Sequence, residues 1–488
     1  MPQTAKRPGP APILLSTAPQ FFVDDRLSER MDHVVWTLHN PERAAENPVL
    51  KPERDWEGSL VLQPGTVLYD EEEHLFKMWY NSLPTASQPD IEEFICYATS
   101  PDGIHWTRPE LNLVEFRGSK KNNILLKECS WTMSVIKDGR ERDPSRRYKL
   151  AYWNWLAKGK EGVWVAFSAD GVRWSVRPNP VVPMAASSDT FCVMQDPASG
   201  QFWMYHKPSI FPVRKVSRMV SDDFVNWRDD ELILAPDDRD QSDTEFYGMS
   251  PFPYGDQYLG LLWVLHTYVQ QIDMQLVSSR DGRRWERSAH RRVFMPLGFV
   301  KLDYAGKAFD SEMIMAVAPP VAQGGRLWFF YSGFDVKHNA AMGKFVDTYA
   351  EGVGQIGAAS MPEDEITSLN ATSEGSIVTR PLRLQGKAMS VTAATYTFRD
   401  KAGKVDPAWA GLFTKVKNGE GEVRVEVLDE FERPIPGYTA AECAPLRGES
   451  ARRTVSWAEH PDLSNLRGQF VRFKFILKNA GLLAFRVE

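Results

Sequence analysis

The chain has 488 residues, 58 Lys and Arg against 64 Asp and Glu, a formal net charge of −6 and 43% hydrophobic residues. This is the composition of a soluble globular protein too long for one small domain, and it lacks the basic stripe that phosphate neutralisation needs, which argues against a nucleic-acid partner. No apolar run is long enough to span a membrane, and no signal-like segment follows the basic, proline-rich start, so a cytoplasmic protein with no membrane partner is expected.

Residues 1–12 read as loose chain, and 13–24 as a strand expected to close a ring with the last repeat, within an N-terminal extension of 1–45. From 46 to 372 one pattern comes back five times: a strand, a turn, a very apolar second strand, then a hairpin. The first strands are read at Thr66–Tyr69, Met133–Lys137, Phe191–Gln195, Met249–Pro253 and Met313–Ala318. The second strands are Phe76–Tyr80, Tyr148–Trp153, Phe202–His206, Tyr258–Leu265 and Leu327–Tyr331. Four of the hairpins carry Ser-x-Asp-x-x-x-Trp: Ser100 to Trp106, Ser168 to Trp174, Ser221 to Trp227 and Ser279 to Trp285. The fifth has decayed to Ser360-Met-Pro-Glu363. Asp-Gly favours a tight turn because Gly accepts positive φ and Asp bonds nearby amides, and the Trp buries a large face over it. The motif is therefore read as structural.

Five such units of four strands predict an all-β protein built on a five-bladed β-propeller. From 376 to 488 the turns at Asn418-Gly419 and Pro434–Gly437 and the strands Val423–Leu428, Gly468–Leu477 and Leu482–Val487 predict a C-terminal antiparallel β-sandwich. Cys96, Cys129, Cys192 and Cys443 have neither metal nor disulfide spacing.

In a propeller the residues just before each innermost strand converge on the axis. Those positions hold Trp56 and Glu57, Ser130 and Trp131, Asp189, Asp243, Glu245 and Tyr247, and Asp310 and Glu312. Carboxylates sharing a cleft repel, so their pKa values split and one serves as proton donor while another stays ionised, as glycoside cleavage requires. Glu57 and Asp189 are expected as nucleophile, base or orienting acid, Glu245 as proton donor, and Asp310 or Glu312 as partner. Trp56, Trp131 and Tyr247 offer stacking faces. His206, Lys207 and His266 end second strands near the same cleft, and His338 lies in a long loop, 334–353, of the kind that often carries function. No cofactor or metal is required by this chemistry, although converging carboxylates also suit Ca²⁺ on the axis.

Asn47-Pro-Val-Leu-Lys-Pro52, Trp56-Glu57, Gly65-Thr-Val-Leu-Tyr-Asp70, Phe76-Lys-Met-Trp-Tyr80 and Ala98 to Trp106 together resemble the opening blade of the five-bladed propeller glycosidases. That group comprises glycoside hydrolase families 32, 43, 62 and 68 and the mannoside phosphorylases of family 130. The resemblance covers roughly 45–370 and implies cleavage, transfer or phosphorolysis of fructosides, arabinosides, xylosides or mannosides by three axial acids. The C-terminal domain is similar in placement to that of family 32. The Trp-Met-Asn-Asp-Pro-Asn motif of family 32 and the Glu-Asp-Pro-Arg of the phosphorylases are absent, so no single family is assigned. A carbohydrate substrate is expected, and the exposed sandwich leaves room for a homo-oligomer. The alternatives are a lectin-like propeller that binds sugar without cutting it, and a lyase or isomerase using Tyr247 or His338.

Overall fold

The computed structural model describes residues 12–58, 60–83, 92–127, 131–209, 213–287, 291–299, 308–316, 318–338, 354–399, 414–417, 421–448 and 451–488. Among the described residues the regular elements are β-strands plus two 3-10 turns, Pro144–Arg146 and Ser464–Leu466, and the protein is all-β. It divides into two compact units. One is Asn40–Glu363; the other joins the segment ending at His39 to Asp364–Glu488.

The larger unit consists of five antiparallel meanders. The first runs Leu60–Asp70, Leu75–Leu83, Phe94–Ser100 and Ile124–Lys127. The second uses Met133–Lys137, Tyr148–Asn154, Gly162–Ser168 and Ser175–Val176. The third is Ser187–Gln195, Phe202–Pro208, Val216–Ser221 and Arg228–Leu234. The fourth is Thr244–Tyr254, Gln257–His266, Gln271–Ser279 and Trp285–Arg287. The fifth is Met313–Met315, Arg326–Phe334, Gly354–Pro362 and, from the start of the unit, Glu42–Arg43. The second strands read as unbroken apolar runs because they lie inside a meander whose two faces are both covered, so both side-chain sets are buried.

Ring closure differs from the sequence expectation. Glu42–Arg43 pairs with Ala359 and Ser360, while Ile13–Leu14 pairs with Leu382–Arg383 and Gln20–Phe21 with Ala484–Phe485 in the smaller unit. Alternation along 13–24 marks a strand but does not choose its partner. The expected boundary after 372 accordingly falls between Glu363 and Asp364.

The Ser-Asp-Trp hairpins act between meanders. Asp102 Oδ1 accepts from the amides of Ile104 (2.9 Å) and His105 (2.8 Å), and Asp170, Asp223 and Asp281 repeat this geometry. The tight turn needs positive φ, met by Gly103, Gly171 and Gly282 and, in the third unit, by the fully buried Phe224 at φ 68°. Trp79 Nε1 of the first meander donates to Gly171 O of the second (2.7 Å), and Tyr205 OH of the third to Gly282 O of the fourth (2.8 Å).

A second set of links follows the first strands. Asp70 takes Lys77 of its own meander at 2.8 Å and Lys137 and Tyr148 of the next, both at 2.9 Å. Asp138 accepts from Gln195 of the third meander (3.0 Å), and Asp196 from Tyr258 of the fourth (2.6 Å). Burial opposes the Asp70 charge, yet hydrogen bonds from Lys77, Lys137 and Tyr148 outweigh it and hold the carboxyl well below the usual range. Its contribution to stability is therefore intact above ordinary carboxylate pKa values and lost only as pH falls through the lowered one. Asp70→Ala leaves the buried Lys77 with only the exposed Glu73 as counter-charge (2.6 Å) and removes the shared acceptor of Lys137 and Tyr148, and we expect a loss of about 3 kcal/mol in denaturant unfolding at neutral pH. A loss below 1 kcal/mol would show that the link is not structural.

The smaller unit is organised around Phe470–Val487, which pairs with Thr367–Thr379, Met389–Arg399 and Glu422–Asp429. Alternate residues Val423, Val425 and Val427, with Phe473, Phe475 and Leu477, enter one core.

Candidate active site

The starts of the first strands are irregular in three meanders. Register shifts fall between Leu62 and Thr66, between Ser187 and Phe191, and between Phe246 and Gly248. Bulges re-aim side chains, and here they fall at Asp189 and Tyr247. A cluster from three meanders assembles around the Tyr247 ring. Asp189 Oδ1 accepts from Lys207 Nζ (2.7 Å), Ser188 Oγ (2.9 Å) and Thr190 Oγ1 (3.3 Å). Lys207 Nζ stands 4.3 Å from the centroid of Tyr247, and the Arg214 guanidinium carbon 5.5 Å from it. Arg214 in turn donates to Glu245. His338 meets Tyr247 edge-on at 5.1 Å. Its Nδ1 lies 3.3 Å from Gln270 Oε1; an amide oxygen only accepts, so Nδ1 carries the proton and Nε2 a lone pair. That Nε2 is buried and has no hydrogen-bond partner among the described residues.

Electrostatics follow from this packing. Burial opposes ionisation of Asp189, but Lys207, Ser188 and Thr190 outweigh it and lower its pKa. Burial, reinforced by the Asp189 charge, pushes the Tyr247 phenol well up, so it stays protonated. Burial and the charges of Arg214 and Lys207 bring His338 down from 6.5 to about 4 against the pull of Asp189. Between those two values the unfolded chain binds a proton at this imidazole that the folded chain does not. Stability therefore rises with pH across that window. His338→Gln removes this term, and its stability should vary less between pH 4 and 6.5 than that of the wild type; parallel curves would contradict the placement.

The remaining expected residues separate into other environments. Glu57 is 0% exposed and its oxygens accept from the amides of Glu53 and Arg54, from Tyr80 OH (2.6 Å) and from Arg108 Nε (2.6 Å). Its carboxylate is thus the ion-pair partner of Arg108, with both oxygens already accepting hydrogen bonds. Asp310 is likewise buried, held by Arg43 Nε (2.7 Å) and Tyr331 OH (2.9 Å). Glu312 Oε2 accepts from Gln271 Nε2 (3.0 Å). Trp56 is half-buried, donates to Asn123 (2.8 Å) and meets Phe116 edge-on beside the first meander's core. His206 and Lys207 alternate along one strand: Lys207 reaches Asp189, and His206 turns to Asp230 on the outer strand (3.1 Å). His266 bonds Asp273 (3.1 Å), whose proximity, with that of Asp243, raises its pKa. Asp243 keeps Oδ1 buried and unpartnered. Trp131 has φ 66°, is half-buried, and meets no ring or hydrogen-bond partner among the described residues. Ser130, like 339–353 of the long loop, lies outside the described residues.

One expectation fails: the five acids expected as catalytic do not face one another unpaired, because each has its own cation or donor, Arg108 for Glu57, Lys207 for Asp189, Arg214 for Glu245, Arg43 for Asp310 and Gln271 for Glu312. Arg214 and Gln270 were not anticipated. Arg214 was findable, since the loop between second and third strands returns to the end where first strands begin, and it is the cation of the apolar stretch Ile210-Phe-Pro-Val-Arg214. Among the described residues no group of three or more His, Cys, Asp or Glu is placed to hold a metal ion.

No family model and no curated protein matches the chain. Solved structures similar to it include the β-1,2-mannobiose phosphorylase of Listeria innocua in complex with β-1,2-mannobiose, at 14% identity and TM-score 0.49, covering 67% of this chain and 98% of that one. A variant fructofuranosidase of Schwanniomyces occidentalis complexed with fructosylnystose is 11% identical, with TM-score 0.43, over 92% of this chain and 98% of that one. A glycosyl hydrolase of Bacteroides ovatus is 15% identical, with TM-score 0.44, over 67% and 94%.

Proposed function

We propose that the protein is a carbohydrate-active enzyme that hydrolyses a glycosidic bond in the axial funnel of a five-bladed propeller, with the smaller unit forming an antiparallel sandwich. The reading rests on one observation: Asp189 and Glu245, from different meanders, are ion-paired with Lys207 and Arg214, and both of those cations lie against the Tyr247 ring at the bulged starts of first strands. Asp189, kept ionised beside Lys207, is the base or nucleophile. Glu245 is the proton donor to the leaving oxygen once substrate has drawn Arg214 away. Trp131, free of other ring contacts, supplies a stacking face for a sugar ring. The test is a panel of aryl glycosides offered to wild type and Glu245→Gln. Release by wild type alone supports the assignment; equal release by both removes Glu245 from the chemistry.

A second reading is favoured by the Tyr247–His338 contact. A neutral imidazole with a buried free Nε2 beside a protonated phenol is an acid–base pair suited to β-elimination. His338 would take the proton on the carbon beside a sugar carboxyl, the glycosidic C–O bond at the β position would break, and Tyr247 would protonate the leaving oxygen. That reaction consumes no water and yields an unsaturated product absorbing in the ultraviolet, whereas hydrolysis yields none.

A further inference from the structure

Resting on the reading of the funnel as a sugar site, we propose that Arg214 and Lys207 form a clamp for a sugar carboxylate, so that the substrate is a glycoside of a uronic acid. The case begins with a donor inventory. An ammonium carries three N–H donors and a guanidinium five. The contacts among described residues engage one on Lys207, to Asp189, and on Arg214 the one to Glu245. Arg214 Nε is buried and has no partner among the described residues. Both cations lie against the Tyr247 ring, at 4.3 and 5.5 Å from its centroid, and both act on His338 at the edge of that ring, which gathers their spare donors around one residue. A planar guanidinium with an unused edge matches a carboxylate in bidentate fashion. The buried, unpartnered Nε2 of His338 faces the same ring, and the two cations prevail over Asp189 in the field it feels.

Charge balance decides between anions. Lys207 and Arg214 offset Asp189 and Glu245, so the empty cluster is neutral. A monoanionic carboxylate that draws Arg214 from Glu245 leaves one excess negative charge. Binding with uptake of one proton restores neutrality, and a proton placed on the carboxyl that Arg214 has left arms Glu245 as the donor. A phosphate dianion would leave a second charge uncompensated. The same step explains why the proton donor is ion-paired before substrate arrives.

The experiment is titration calorimetry of the full chain with methyl glucuronoside and methyl galacturonoside, their neutral glucoside and galactoside counterparts, and inorganic phosphate. Each is run in two buffers of different ionisation enthalpy. We expect one uronoside to bind at least about 10-fold more tightly than its neutral counterpart, with uptake of about one proton. Arg214→Met should abolish that preference and the proton uptake, and Arg214→Lys, which keeps the charge but not the fork, should retain part of the affinity; thermal melting verifies folding of both. Equal binding of neutral and uronic glycosides, or binding of phosphate but neither uronoside, overturns the clamp. Cleavage of neutral aryl glycosides alone also overturns it while leaving the glycosidase reading intact. Uronoside binding without turnover of any uronide sustains the clamp and overturns the enzyme.

Discussion

Asp189→Asn is expected to lower kcat/KM on a cleaved glycoside by about 10²–10⁴-fold while the protein stays folded. The Asp189 carboxylate is held ionised by Lys207 at 2.7 Å, and its side chain is 30% exposed, the most open among the ion-paired axial acids. Asn keeps its shape and an acceptor oxygen for Ser188 but can neither take a proton nor attack carbon. The stability cost should be about 1–3 kcal/mol, because Lys207, with 7% of its side chain exposed, loses its counterion although Asp189 itself is open to water. Activity measured beside a thermal melt separates the two effects. Recovery of part of the rate by added formate or azide would identify a missing nucleophile or base. A variant with wild-type turnover would remove Asp189 from the mechanism.

Glu57→Gln should show the opposite signature. Glu57 is 0% exposed, and Arg108, its ion-pair partner, has only 7% of its side chain exposed. An amide replaces one acceptor with a donor that faces the guanidinium, leaving Arg108 only the exposed Glu53 (3.4 Å) as counter-charge. Breaking a buried pair in this way costs about 3–5 kcal/mol, read as a fall in unfolding free energy. The folded fraction should retain turnover. If the variant is as stable as wild type but inactive, Glu57 is catalytic after all and the division of the axial acids made here is wrong.

The strands were legible in the sequence because their signals are local. The paired strand and apolar-strand pattern located the first and second strands of all five meanders, and Asp-Gly marked three hairpins. What the pattern could not supply were partners far along the chain. Arg108 stands 51 residues from Glu57, and Arg43 stands 267 from Asp310. Reading acids without these cations predicted repulsion where the fold provides ion pairs. Ring closure failed for the same reason, since Glu42–Arg43 is too short to show periodicity and residues 13–24 are strands with other neighbours. The site itself was half legible: Asp189, Lys207, Glu245, Tyr247 and His338 were all named, but from separate arguments. Only the bulges at Asp189 and Tyr247 explain why they meet at one ring.

The most direct measurement is the leaving-group dependence of cleavage by wild type and Glu245→Gln. Glycosides of one sugar are compared across alcohols from dinitrophenol to a simple alkanol. If Glu245 protonates the departing oxygen, the variant should lose most of its rate on the alkanol glycoside, about 10²–10⁴-fold, and little on the dinitrophenyl glycoside, which leaves without help. A loss that is the same for every leaving group, or no loss at all, would contradict glycosidic cleavage by this pair of carboxylates.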